Sequence, residues 1–293
     1  MRIWLTAARP RTLPAAVAPV LVGTAAAVAT SGSVPRPLGF GAALLASILI
    51  QIGTNLANDY SDARRGADTP DRLGPVRVTA TGLATPSKVL WAAWIAFGLS
   101  ILLGLYLAWL AGPVILLIGA LSITAGTLYT GGPKPYGYAG LGEVFVFLFF
   151  GLVAVNGSYY VQLEAVNAGA FGLSVTVGML ATAILVINNV RDLESDRRAG
   201  KLTLAARFGR AWTRRLFRMV LVAALVALLA TVVLDRSFEG ALLGIAGLPF
   251  AIRALRAVET RTDGPSLNRA LAEMGISLAL FGIGASLGLV IFR

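Results

Sequence analysis

The 293-residue chain is 57% hydrophobic and 13% charged, has a net charge of +11, and contains neither cysteine nor histidine. Its charged fraction is far below the roughly 25% of a soluble domain, and apolar runs of about 20 residues, the length that spans a bilayer, recur along it. Disulfides, thiolate nucleophiles, Cys/His zinc sites, His or Cys haem ligation and Ser-His-Asp triads are excluded, so any metal must be held by oxygen, which points to magnesium, calcium or manganese.

In chain order, Arg9-Pro10-Arg11 precedes a long apolar run with no convincing cleavage site, which predicts a retained first span rather than a signal peptide. Nine spans are predicted, roughly 13–31, 38–58, 88–110, 113–130, 141–162, 168–190, 216–234, 239–258 and 270–292. Inside lipid only helices and closed barrels satisfy the backbone, and these runs are too long and unalternating for barrel strands. The expected fold is therefore all-α: a polytopic membrane protein of nine transmembrane helices in one domain, its Ala and Gly suited to close helix packing. With a cytoplasmic N-terminus, every Lys and Arg except Arg36, Arg236 and Arg293 falls on the cytoplasmic side. That is the asymmetry of the positive-inside rule, so the positive charge reads as orientation and contact with anionic lipid rather than nucleic acid binding.

Only 14 Asp and Glu are present, and two look-alike clusters take many of them. The first closes span 2 and contains Asn55, Asn58, Asp59, Asp62, Arg64, Arg65 and Asp68. The second closes span 6 and contains Asn188, Arg191, Asp192, Asp196, Arg197, Arg198 and Lys201. The offset of four spans suggests two four-helix pseudo-repeats, 13–130 and 141–258, followed by span 270–292. Spacings of three and four place Asn55, Asn58, Asp59 and Asp62 in one helical stripe, and Asn188, Asp192 and Asp196 in another. Carboxylates one turn apart repel unless a cation lies between them. Mg2+ takes one or two carboxylates and completes its octahedron with water and phosphate oxygens. Two facing stripes would thus clamp a diphosphate through Mg2+, with Arg64, Arg65, Arg72, Arg191 and Lys201 placed for the remaining phosphate oxygens. A solvated stop-transfer loop would explain one such cluster. Two matching clusters, each with Asn inside the apolar boundary, favour function. A Gly/Pro-rich segment from Tyr129 to Glu143, which includes Lys134, joins spans 4 and 5 on the same side; its aromatic rings suit the wall of a ring-binding pocket, although a plain connector has a similar composition.

The "NDxxD" and "RDxxxD" pair resembles the UbiA superfamily of intramembrane prenyltransferases. The stretches AARPRTLPAAVAPVLVG (7–23), NLANDYSDARRGAD (55–68), GLGEVFVFLFFG (140–151), NNVRDLESDRRAGKLTLA (188–205) and SLNRALAEMG (266–275) extend the likeness over nearly the whole chain, and are most similar to the branch that prenylates 1,4-dihydroxy-2-naphthoate in menaquinone synthesis. The resemblance implies a nine-helix enzyme of the bacterial plasma membrane, with its active site toward the cytoplasm. Its partners would be membrane lipid, a polyprenyl diphosphate and a hydroxylated aromatic acid, and its cofactor Mg2+. It makes Asp59, Asp62, Asp192 and Asp196 the metal-binding aspartates. Asn55, Asn58, Asp68, Arg191 and Lys201 become their supporting shell and diphosphate contacts. The shorter superfamily spacing would place an acid at position 66, where this chain has Gly66 and carries the acid at Asp68.

The implied reaction breaks an allylic C–O bond, joins the ring to the allylic carbon and releases the ring carboxylate as CO2. Asp68, Asp62 and Lys201 are the candidate catalytic groups, one of the two acids taking the phenolic proton. Arg9 or Arg11 is a candidate for the substrate carboxylate. Two other readings compete. A transporter would place its acids near the midplane rather than at one face. A related prenyltransferase would take 4-hydroxybenzoate, a haem porphyrin, a chlorophyll precursor or a phosphoribose.

Overall fold

The computed structural model describes residues 2–66, 73–74 and 77–292. Among these the chain is helical and has no strand. A short helix α1 (Arg2–Ala8) leads into α2 (Pro14–Ser31), α3 (Pro37–Arg64), α4 (Pro86–Ala111) and α5 (Val114–Leu128). The fifth predicted span is composite: α6 (Gly142–Val146), a π-helical stretch Phe147–Val153 and α7 (Ala154–Leu163). Then come α8 (Ala168–Arg191), the short α9 (Leu193–Arg198) and α10 (Leu204–Leu234), which Gly209 kinks with φ 79°. A 3-10 stretch Arg236–Gly247 runs into α11 (Leu248–Thr260), and α12 (Gly264–Ile291) ends the described chain.

Sequence chemistry sets the starts of these helices. Pro14, Pro37 and Pro86 stand at first helical positions, where no backbone N–H is missed. Asn167, Thr203 and Asp263 accept backbone N–H groups at the starts of α8, α10 and α12. Among the described residues eight helical stretches are long and apolar enough to cross a membrane, so this is a multi-pass membrane protein. The ninth expected span, 113–130, is represented by α5, which has only 15 residues. At 1.5 Å per residue it is about 23 Å long, short of a hydrocarbon core of about 30 Å. It starts right after the turn at Gly112 (φ 88°) and stops before Gly132 (φ 73°), two positions that need the left-handed backbone glycine permits. On α4, exposed Trp91 and Trp109 lie about 27 Å apart by the same rise, as interfacial aromatic belts do.

Two packed halves flank an interior space. The larger core joins α2, α7, α8, α10, α11 and α12 through residues such as Val177, Phe217 and Phe281. Smaller clusters join α1, α3 and α4 around Phe97, and α3, α4, α5 and α7 around Ile115 and Val161. Small residues let backbones approach: a Cβ on Gly151 would sit 2.6 Å from the Cα of Gly178, and one on Gly288 would sit 1.8 Å from the carbonyl oxygen of Gly240.

Candidate active site

Between the two halves lies a cavity of about 640 Å³. It follows α3 from Ala43 through Ala46, Ile50 and Thr54 to Asn58 and Asp62, about 28 Å at 1.5 Å per residue. Its chemistry changes along that length. The deep part is apolar, walled by Leu107, Ile115, Ile118, Phe149 and Val153, whereas the mouth is polar. Asp62 comes from α3, Asp192 from the junction of α8 and α9, and Asp196 from α9; Arg77, Arg191 and Lys201 join them there.

The first stripe is a helical face, as expected. Asn55, Asn58, Asp59 and Asp62 are all buried in the last turns of α3. The amide nitrogen of Asn55 donates to the Ala8 carbonyl and the Thr12 hydroxyl, and Asn58 accepts from the Thr130 hydroxyl at 2.8 Å. Asp62 accepts from Arg77 at 2.8 Å and from the Tyr138 hydroxyl at 3.0 Å. Asp59, expected beside it as a metal ligand, does not line the cavity. Its two carboxylate oxygens accept the backbone N–H groups of Val78 and Thr79, at 3.1 and 3.0 Å. Asp59 thereby clasps the loop that delivers Arg77 to Asp62.

The second stripe bends. α8 ends at Arg191 and Asp192 is the hinge, yet the four-residue hydrogen bonding continues, from Asp192 N to Asn188 O at 3.1 Å and from Asp196 N to Asp192 O at 2.8 Å. Arg191, expected against a diphosphate, grips Asp192 bidentately at 2.8 and 2.6 Å and also reaches Asn188 and Asn268. Lys201 stands 4.0 Å from Asp196 and lies over the rings of Tyr129 and Tyr138. Each cavity carboxylate thus has a cation beside it, which is the condition for keeping a charge away from bulk water.

The segment 129–141 bridges the two stripes. Arg65 donates to the carbonyls of Thr130 and Gly132, and Leu202 N donates to Tyr138 O at 3.0 Å. Tyr129, Tyr136, Phe145 and Phe149 line the cavity as a column of rings, with Tyr136 stacked on Phe145 at 4.0 Å. Burial raises the phenols of Tyr129 and Tyr136 above their ordinary value, for Tyr129 with the added push of Glu143 and other acidic neighbours, so both rings stay protonated. Lys134 is exposed and Arg64 packs on Tyr60; neither lines the cavity. Asp68 and Arg72 lie outside the described residues. Arg77 was missed by sequence reading, because nothing in a loop between spans marks which arginine returns to the acids.

Among the described residues no three acids converge on one point as a ready metal cage. The donors instead fit a metal held jointly with phosphate. They are oxygen-only carboxylates from two helices at one cavity mouth, each with a cation beside it.

The sequence profile of the UbiA prenyltransferase family matches residues 16–281. The chain is 42% identical over 283 residues to the 1,4-dihydroxy-2-naphthoate octaprenyltransferase of Mycobacterium leprae (strain TN), covering 97% of this chain and 94% of that one. It is 31% identical over 283 residues to the protein of the same name from Bacillus subtilis (strain 168), with 97% and 90% covered. A solved UbiA homolog from Archaeoglobus fulgidus, bound to GPP and Mg2+, shares the fold at a TM-score of 0.71 and 16% identity, over 98% of this chain and 99% of that one.

Proposed function

The chain belongs to the UbiA prenyltransferase family, and from that premise we propose that it transfers a polyprenyl group from polyprenyl diphosphate to 1,4-dihydroxy-2-naphthoate, releasing diphosphate and CO2, in menaquinone synthesis. The observation that carries this reading is the single cavity that is apolar along its depth and lined at its mouth by two carboxylate–cation clusters. An isoprenoid tail matches the first part and a diphosphate the second. The names of relatives aligned over nearly the whole chain favour the naphthoate over other acceptors.

In this reading Asp62, Asp192 and Asp196 would hold Mg2+ with the diphosphate, and the metal would offset negative charge on the leaving group. Arg77 and Lys201 turn from their carboxylates to phosphate oxygens and stabilise the charge left as the allylic C–O electrons pass to the diphosphate. Arg191 holds Asp192 in place through its bidentate grip. The apolar walls keep water from the electron-poor allylic carbon until the ring carbon bonds to it. Asp62 is the cavity acid assigned to take the phenolic proton as the ring carbon bonds; the carboxylate then leaves as CO2, its C–C electron pair returns to the ring, and the proton goes back to the phenolate oxygen. Asp59 acts at one remove, through the loop it holds. The protein sits in the bacterial plasma membrane with nine spans, α5 included, the N-terminus and cavity mouth on the cytoplasmic side.

Membranes carrying the protein, given radiolabelled octaprenyl diphosphate and each acceptor in turn, test the reading. Label should pass to 1,4-dihydroxy-2-naphthoate and to none of 4-hydroxybenzoate, a haem porphyrin or a phosphoribose. Transfer to one of those instead would reassign the acceptor, and no transfer to any would remove the reading.

A further inference from the structure

One buried acid is unused so far. Glu143 lies in the first turn of α6, 6% exposed. Its Oε1 accepts the side-chain amide nitrogen of Asn189 on α8 at 2.9 Å, and its Oε2 has no partner. Asn189 itself lines the cavity, next in sequence to Asn188. The two asparagines have different tasks. The oxygen of Asn188 is taken by Arg191 at 2.6 Å, which ties it to the acid–cation cluster. Asn189 is tied to α6, the element that also carries Phe145 and its stack with Tyr136.

A carboxamide offers donors on nitrogen and an acceptor on oxygen. A carboxylate only accepts, so Glu143 must face the nitrogen of Asn189, and the oxygen is the end left for the cavity. A lone acceptor is the wrong partner for phosphate oxygens, which are acceptors too. It is the right partner for a hydroxyl. Without Glu143 the amide could turn and offer its N–H groups to the diphosphate, and the discrimination would be lost.

We propose that Asn189 accepts a hydrogen bond from a ring hydroxyl of the aromatic acceptor, and that Glu143 is the positioning residue that fixes the direction of its amide. The assignment rests on the aromatic prenyl transfer argued above. It places the acceptor ring on the α6 and α8 side of the mouth, beside the aromatic column. Specificity then comes from a buried acceptor that an analogue lacking the hydroxyl leaves unpaired.

Steady-state kinetics of the purified full-length protein, with 1,4-dihydroxy-2-naphthoate and octaprenyl diphosphate varied separately, test this. Asn189→Ala and Glu143→Ala should each raise the KM for the naphthoate by about tenfold, the worth of one buried hydrogen bond. The KM for octaprenyl diphosphate should move by less than about twofold, since that contact is separate. Because the two residues act as one device, the double variant should be no worse than the poorer single. Glu143→Gln can donate as well as accept and so no longer fixes the amide's direction, and it should recover only part of the lost affinity. Where an alanine variant does not insert, the near-isosteric Asn189→Leu carries the same expectation. Parallel rises in both KM values, multiplying effects in the double variant, or a Glu143→Gln with full wild-type affinity would each overturn the assignment. A wild-type protein that does not prenylate the naphthoate would instead overturn the parent reading.

Discussion

Asp59 and Asp62 are three residues apart on one helix and chemically identical, yet their surroundings give them different work. Asp62 faces the cavity against Arg77, whereas Asp59 spends both oxygens on the backbone of Val78 and Thr79. Asp62→Asn and Asp192→Asn should therefore lower turnover by about a hundredfold or more, the scale of losing a preorganised charge at a transition state, while insertion and gel-filtration behaviour stay unchanged. Asp59→Asn should also lower turnover, but with faster hydrogen exchange at Val78 and Thr79, because their acceptor has weakened. Exchange rising equally in Asp62→Asn would contradict the division of labour. The acids themselves were legible in the sequence, since Asp and Asn at the edge of an apolar run are costly and helical spacing put them on one stripe. The turn of Asp59 toward a loop was not legible, nor was the return of Arg77, because both depend on where a connection between spans folds back. Arg191 lines the cavity, and its bidentate bond to the neighbouring Asp192 goes with the bend at the end of α8 that spacing alone did not show.

At the scale of elements, glycine placement decides how close the helices come. The 3-10 stretch Arg236–Gly247 lies on α12 through Gly240 and Gly244, and the backbone of Gly288 fills the space a side chain would need. Gly288→Ala should cost about 1–3 kcal/mol through overpacking, read as a lowered thermal unfolding temperature in detergent. An unchanged temperature would mean that the two backbones do not meet as described. Hydropathy located the long apolar helices, because apolar runs of that length are a strong signal. It failed in three particulars. α5 is shorter than its predicted span 113–130, ending at Leu128 ahead of the turn at Gly132. The run Phe147–Val153 is π-helical, and its Gly151 packs closely on Gly178. The span predicted at 239–258 starts as a 3-10 stretch, its Gly240, Gly244 and Gly247 pressed against α12.

For the whole molecule, the proposed orientation rests on charge: with a cytoplasmic N-terminus, only Arg36, Arg236 and Arg293 of the basic residues fall outside. The chain has no cysteine, so single-cysteine variants report cleanly. Arg236→Cys should react with a membrane-impermeant maleimide on intact cells and Lys134→Cys only after permeabilisation; the reverse pattern would invert the topology. The two halves of the fold then face one another across a cavity that couples an apolar tail channel to a charged mouth, and the central claim is that this mouth works with Mg2+ on a diphosphate. The most direct measurement is made with purified protein, octaprenyl diphosphate and 1,4-dihydroxy-2-naphthoate, following prenylated product and CO2 together, in EDTA and after Mg2+ is restored. No product should form in EDTA, activity should recover with Mg2+, and one CO2 should be released for each prenyl group transferred. Transfer that proceeds equally in EDTA, or product formed without CO2, would contradict that claim.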